Sequence, residues 1–578
     1  MAARLTTYVV VAIVAATLIA GLIVGAQLDD SDGPVDLIVF NAKVYTADGS
    51  GKMADAVAIR GNQILRVGSD REIQRLRRPQ TVVVDARGGA VLPGFNDADV
   101  HFTDGALTLD GVDLLGADSV DEAQARISAW AEANPLRPWV VGRGWSGRMS
   151  ATGPPTRQRL DAAVPDRPAY MLSADGRTAW VNTRALRLAG VTRRTPNPEA
   201  GVIEKDQRTG EPIGLLSAAA ADLAGRLVPK PTHEQRARAL HTAIAAAHEN
   251  GVTSVQDAAV GPDAFALYEE ARQAGELNLR VYSSIGVSDR TTTADFNTLE
   301  ALSSKYPDDP LFKVGGARIV IDGPVDSFEA ALLEPYSARP GTGAGETSIG
   351  PDELNRLVRM LDGRGWQVTL DAFGDRAVRM ALNAYEHAER SNPTPARGRR
   401  HRIGHLALLH PDDLPRLAQL GVVALLRPYE ATPSPGRVDA WTRAVGDERT
   451  ARAWPAAGLA AAHTRLAFAT GWPDAPQNPL AAIHAAVNRS GDAGAEDPWN
   501  GGESLPLKRA IDAFTSAPAY ASFDEQRKGS LKRGMLADLV VLSTDIFAAP
   551  PSRLSSATVA ATIFDGKIVY RRTGTSTN

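Results

Sequence analysis

Three textures of apolar and polar positions divide the chain. The first is one uncharged run, Tyr8 to Ala26 (YVVVAIVAATLIAGLIVGA), apolar apart from Thr17 and just long enough to cross a bilayer. The second is period-two alternation in short runs broken by turns, from Leu37 to Val91. Within it, AVAIRGNQILRVG sets Gly61-Asn62 between two alternating runs, a hairpin signal. The same alternation returns near the C-terminus in LADLVVLS and VAATIFDGKIVYRR, where Asp565-Gly566 joins two strands. Neither end has enough strands to bury a face alone, so the two are predicted to pair in one small composite β-sandwich.

The third texture fills the middle, where helical periodicity leads repeatedly into short apolar runs. Thr232 is placed to cap HEQRARALHTAIAAAHEN, Asn250-Gly251 to stop it, and VTSVQDA follows as a buried strand. PDELNRLVRMLDGRG then leads to WQVTLDA and the helix DRAVRMALNAYEHAER, with Asp375 as its expected cap, and HPDDLPRLAQL leads through Gly421 to VVALLRP. Alternating helix and strand predicts a parallel sheet covered by helices, and the length available suits a (β/α)8 TIM barrel with insertions. The expected fold class is therefore α/β. The predicted division is an anchor over 1–30, the first β portion over 31–92, the barrel over 93–524 and the second β portion over 525–578.

Charge changes this picture at two points. A formal net charge of -4, with 22% charged residues, excludes the broad basic surface that drives nucleic-acid binding. Arg4 precedes the first apolar run while Asp29, Asp30 and Asp32 follow it. The positive-inside bias then predicts a single-pass anchor in the cytoplasmic membrane through residues 8–26, with the body of the chain extracytoplasmic. A cleaved signal peptide is the alternative, although no A-x-A-like site is evident. Cysteine is absent, so disulfides, thiolate nucleophiles and sulfur-ligated metals are excluded and any metal must be held by His, Asp or Glu.

In a barrel of this kind the carboxyl ends of the strands carry the chemistry. That rule selects Asp99, His101, Arg318, Asp371, His405 and Gly471. The surrounding segments, VLPGFNDADVHF, GRGW, PDRPAYMLSADGRTAWVNTRAL, GVTSVQDA, IDGPVDSFEAALLEPYS, GWQVTLDAFGDRAV, RHRIGHLALLHPDD, LAFATGWPDAPQNPL and KGSLKRGMLADLVVL, resemble in order the signatures of the amidohydrolase superfamily. The nearest resemblance is to its family 3 branch, which includes N-substituted formamide deformylase-like proteins. It extends over nearly everything after the anchor and implies a TIM barrel with a composite β-sandwich, the architecture already read from the pattern.

The resemblance also implies a chemistry: one or two divalent cations polarise a carbonyl and activate a water that attacks a C–N bond. Its ligands are an H-x-H pair after the first strand, a lysine on the fourth, one histidine each on the fifth and sixth, and an aspartate on the eighth. Here those positions fall on Asp99 and His101, Arg318, Asp371, His405 and Gly471. Four of the six are changed, and Gly471 removes the carboxylate that would serve as ligand and base. A guanidinium is cationic at any accessible pH and cannot be carboxylated as lysine can. At about 4 Å and an effective dielectric near 20 it repels a divalent ion by roughly 8 kcal/mol. Because two substitutions introduce carboxylates where a third introduces a guanidinium, the expectation is an internal ion network, with Arg318 between Asp99 and Asp371 and the histidines hydrogen-bonded around it.

Arg177, Glu430 and Asp474 are candidate pocket residues, Asp474 as a stand-in for the carboxylate missing at Gly471. His233, His241, His248 and His387 fall on helix patterns and read as surface or packing residues. The functional expectation is a membrane-anchored pseudoenzyme, without cofactor, whose barrel binds a small molecule in its pocket or docks a membrane-protein partner. Two alternatives remain. One is an atypical C–N hydrolase with a mononuclear metal such as Zn or Mn among Asp99, His101, Asp371 and His405. The other is a structural subunit of a membrane complex.

Overall fold

The computed structural model describes residues 34–572, apart from 147, 148, 150–152, 175, 307, 339–342, 434–436 and 491–497. The apolar run at residues 8–26 lies outside the described residues. Among the described residues no helix is long and apolar enough to cross a membrane.

Eight parallel strands form a nearly closed barrel: β1 (Phe95–Val100), β2 (Val252–Asp257), β3 (Arg280–Gly286), β4 (Phe312–Val320), β5 (Gln367–Ala372), β6 (Arg402–His405), β7 (Val423–Leu426) and β8 (Arg465–Phe468), each beside the next. Helices return the chain between them, as parallel pairing requires. The helix His233–Glu249 shows why the sequence stops and starts where it does. Thr232 and Gln235 form a reciprocal capping box, Asn250 ends the helix, Gly251 turns with φ of +76°, and every residue of β2 is buried. Asp375, by contrast, does not cap its helix. Gly374 holds the cap position of Asp375–Ser391, and the Asp375 carboxylate accepts the Leu333 backbone N–H at 2.8 Å.

The seam between β8 and β1 is bridged by a side chain. Asp97 on β1 accepts both the backbone N–H and the hydroxyl of Thr470, and His101 N donates to Trp472 O at 2.9 Å. Burial pushes the Asp97 carboxyl up to about 7.

The two chain ends meet beside the barrel. Ala90–Pro93 pairs antiparallel with Leu539–Leu542 inside a six-stranded sheet that also holds Val559–Phe564 and Lys567–Arg571. A four-stranded sheet of Leu37–Phe40, Ala56–Arg60, Gln63–Gly68 and Val82–Asp85 shares its apolar cluster: Leu37, Val39, Val57 and Ile59 pack with Val91, Leu539, Val541 and Ile563. A third sheet, six strands drawn from Val112 to Ala218, is inserted between β1 and β2 around Trp145, Leu160 and the fully buried Trp180.

Candidate functional site

At the carboxyl ends of the barrel strands lies a cavity of about 1410 Å³, whose wall includes His101, Arg318, Asp371, His405, Arg427 and Gly471. All six positions singled out in the sequence come together here or just beneath, Asp99 being buried under the mouth.

Arg318 stands between two carboxylates. Its Nε donates to Asp371 Oδ2 at 2.7 Å, and its terminal nitrogens donate to both oxygens of Asp99, Nη1 closely and Nη2 at 3.3 Å. A second guanidinium completes the group: Arg427 donates to Asp99 Oδ2 through Nη2 at 2.7 Å and Nε at 3.2 Å. Burial alone would raise the Asp99 carboxyl, but Arg318 and Arg427 overcome it and hold the group well below the usual carboxylate range. Both arginines are likewise pushed down by burial and more than restored by their carboxylates, so they remain charged.

Two glycines make room for this arrangement. A Cβ on Gly404 would fall 2.5 Å from Asp371 Oδ1. One on Gly471, where φ is +73°, would fall 2.8 Å from Arg427 Cδ. The space beside Gly471 is therefore filled by the flank of an arginine. Asp371 Oδ1 itself has no hydrogen-bond partner among the described residues, so Arg318 is what compensates this carboxylate.

The histidines do not join the network around Arg318. His405, held at φ of +68°, stacks on Phe373 with ring centroids 3.8 Å apart, and its Nδ1 lies 3.1 Å from Glu430 Oε1. His101 is half-buried at the rim, and burial lowers its pKa. Glu430 lines the cavity, on the short turn Pro428–Ala431 after β7. Asp474 does reach the mouth, but as an exposed partner of Arg143 at 2.5 Å with Arg427 at 3.8 Å. Arg177 is exposed and paired with Glu329. Asp322 is buried in the wall, accepts the backbone N–H groups of Ala331, Phe373 and Gly374, and is pushed by burial up to about 7. The helix histidines are outside the site: His233 and His241 pair with Glu270 and Glu276, and buried His248 bonds to Asn278 O.

Arg427 is the residue that sequence reasoning passed over. Its signal was present, since it follows β7 directly in LLRPYE, at the strand end where the other candidates were sought. Among the described residues no group of three or more His, Cys, Asp or Glu side chains is arranged to hold a metal ion.

A family model described as "Amidohydrolase family" matches residues 82–570. The chain belongs to that family. Within it, the chain is 30% identical over 541 residues to the putative amidohydrolase YtcJ of Bacillus subtilis, covering 92% of this chain and 98% of that protein. It is 26% identical to the N-substituted formamide deformylase of Arthrobacter pascens, covering 93% and 99%. Among solved structures, an uncharacterized metal-dependent hydrolase from Pyrococcus furiosus superposes with a TM-score of 0.67 at 25% identity, over 87% of this chain and 97% of that one. Each of these relatives is matched over nearly the whole of its own length.

Proposed function

We propose that this family member has exchanged its metal centre for a fixed ion network and works as a small-molecule binding protein rather than a hydrolase. The observation that carries this reading is the Arg318 guanidinium between Asp99 and Asp371, with Arg427 on the other side of Asp99. The residues do not fit a metal pair. Both oxygens of Asp99 are engaged by guanidinium groups, a cation occupies the position of the bridging ligand, and Gly471 supplies neither ligand nor base. What survives is a roomy, largely apolar cavity with charged groups in its wall, on a rigid barrel, which is the form of a ligand site. In the same reading residues 8–26 tether the chain to the cytoplasmic membrane with the barrel outside, where it can meet external solutes or a membrane-protein partner.

Metal analysis of the purified full-length chain, paired with turnover of N-substituted formamides in added Zn²⁺ or Mn²⁺, tests the reading. The expected result is less than one tenth of an equivalent of bound divalent ion and no turnover above background. One tightly held ion per chain, with turnover abolished by a chelator, would overturn it and favour a mononuclear hydrolase.

A further inference from the structure

The charges around the barrel-mouth cavity do not balance. Seven carboxylates line it against three guanidinium groups, those of Arg177, Arg318 and Arg427. Each of the three is already committed: Arg177 pairs with Glu329, Arg318 with Asp99 and Asp371, and Arg427 with Asp99. Asp289 after β3 and Asp326 after β4 are exposed carboxylates in the same wall. A wall with its cations engaged and its carboxylates in surplus draws in a cation and repels an anion.

His405 adds a directional group to this field. It is 7% exposed, lies in the cavity wall, and is fixed by the stacked Phe373 ring and by Glu430, 3.1 Å from its Nδ1. An ionised carboxylate only accepts, so in the neutral ring Nδ1 carries the proton and Nε2 keeps its lone pair. No described residue bonds to Nε2, and it is not among the sealed, unmatched atoms of the interior, so it opens on the cavity. Strands β3 to β6 are consecutive neighbours, which puts Asp289, Asp326 and His405 on one side of the mouth. Val287 and Ile349 give the wall apolar surface as well.

We infer that the barrel mouth binds a protonated amine, which donates an N–H to His405 Nε2 while the surplus carboxylates favour its charge. The lone pair selects a cation that carries N–H donors, and the charge selects against acids and neutral molecules of the same shape. The inference rests on the reading that no metal fills the mouth, because a divalent ion would claim His405 and repel a second cation.

The test is calorimetric titration of the full-length chain, its metal content measured, with hexylamine, hexyltrimethylammonium, hexanol and hexanoate at neutral pH. The expected result is saturable 1:1 binding of hexylamine, at least tenfold tighter than hexanol and at least threefold tighter than hexyltrimethylammonium, with no binding of hexanoate. His405→Leu is expected to weaken hexylamine at least tenfold, and His405→Gln, which keeps an acceptor, less than threefold. Asp289→Asn combined with Asp326→Asn, at exposed positions, is expected to weaken both ammonium ions alike, and it keeps the test decisive should His405→Leu lose the parent melting temperature. Equal affinity for hexylamine and hexanol, or undiminished binding of both ammonium ions by the double variant, would overturn the inference. Equal affinity for the two ammonium ions, or parent-like binding by folded His405→Leu, would overturn the role of His405. Absence of amine binding by a metal-free chain would overturn this inference alone, whereas one bound divalent ion per chain would overturn the reading on which it rests.

Discussion

Two buried ion clusters occupy opposite ends of the same barrel, and they differ in what they join. At the foot, Arg280 on β3 binds Asp538 through Nε at 2.5 Å and Nη2 at 3.0 Å, and reaches Asp565 at 2.9 Å. That cluster pins the sheet formed by the chain ends to the barrel. At the mouth, Arg318, Asp371 and Asp99 lie on barrel strands and Arg427 immediately follows one, so the cluster ties the barrel to itself and faces a cavity. Buried charge therefore does not by itself mark chemistry. The foot cluster joins the barrel to the sheet beside it, while the mouth cluster crosses the inside of the barrel, from Asp99 on β1 to Arg318 on β4 and to Arg427 after β7, and faces the cavity.

Substitutions sharpen this contrast. The largest loss is expected from Arg318→Met, which strips Asp371 of its compensating cation and leaves Asp99 with one arginine. Removing one partner from a buried charge group costs about 3–5 kcal/mol, and this change sits at the upper end. Arg280→Met is expected to fall at the lower end, about 3 kcal/mol, because Asp565 is part-exposed and water can replace its partner. Denaturant unfolding of both variants decides the order. Equal stability of Arg318→Met and the parent would mean that the mouth carboxylates are not paired as described.

Gly471→Asp places a carboxylate where the family resemblance implies one. In this backbone it forces a side chain into a left-handed conformation and against Arg427, so about 1–3 kcal/mol should be lost. Calorimetry in the presence of Zn²⁺ is expected to show no gain in metal affinity, since Arg318 still holds the centre. Tight zinc binding by this single variant would show that the missing carboxylate alone had disabled the site.

The smallest effect concerns pH. Burial raises Asp97 to about 7, so its contribution to stability is fully present below the unfolded value near 3.8 and is lost as pH rises through about 7. Between pH 6 and 8 this amounts to about 1 kcal/mol. Asp257 and Asp322 are raised to about 7 in the same way, so Asp97→Asn should reduce, but not abolish, the fall in melting temperature over that range. An unchanged slope would remove Asp97 from the account. Asp99 behaves oppositely: held low by two arginines, it withdraws its contribution only in strong acid.

Much of the framework was legible because its signals are local. The caps around Thr232 and Asn250, the Gly61-Asn62 and Asp565-Gly566 turns and the alternation at both ends are read within a few residues of themselves. The inserted sheet was not, because its strands are short and several pairings are remote. Val112–Asp113 pairs with Val140–Trp145 some thirty residues later, and neither run is long enough to declare itself. At the site, the complementary signs of Asp99, Arg318 and Asp371 could be seen in the sequence, since they depart together from a pattern. The partner of His405 could not, because it depends on the turn Pro428–Ala431 bringing Glu430 back over the strand end. Asp375 misled for a related reason: a carboxylate before a helix resembles a cap until a neighbouring loop, at Leu333, claims it.

The most direct test is anomalous diffraction at the zinc edge from crystals of the full-length chain grown with excess Zn²⁺. The account predicts guanidinium density between Asp99 and Asp371 with no anomalous peak at the barrel mouth. A peak coordinated by Asp99, His101 or Asp371, with Arg318 turned away, would contradict it.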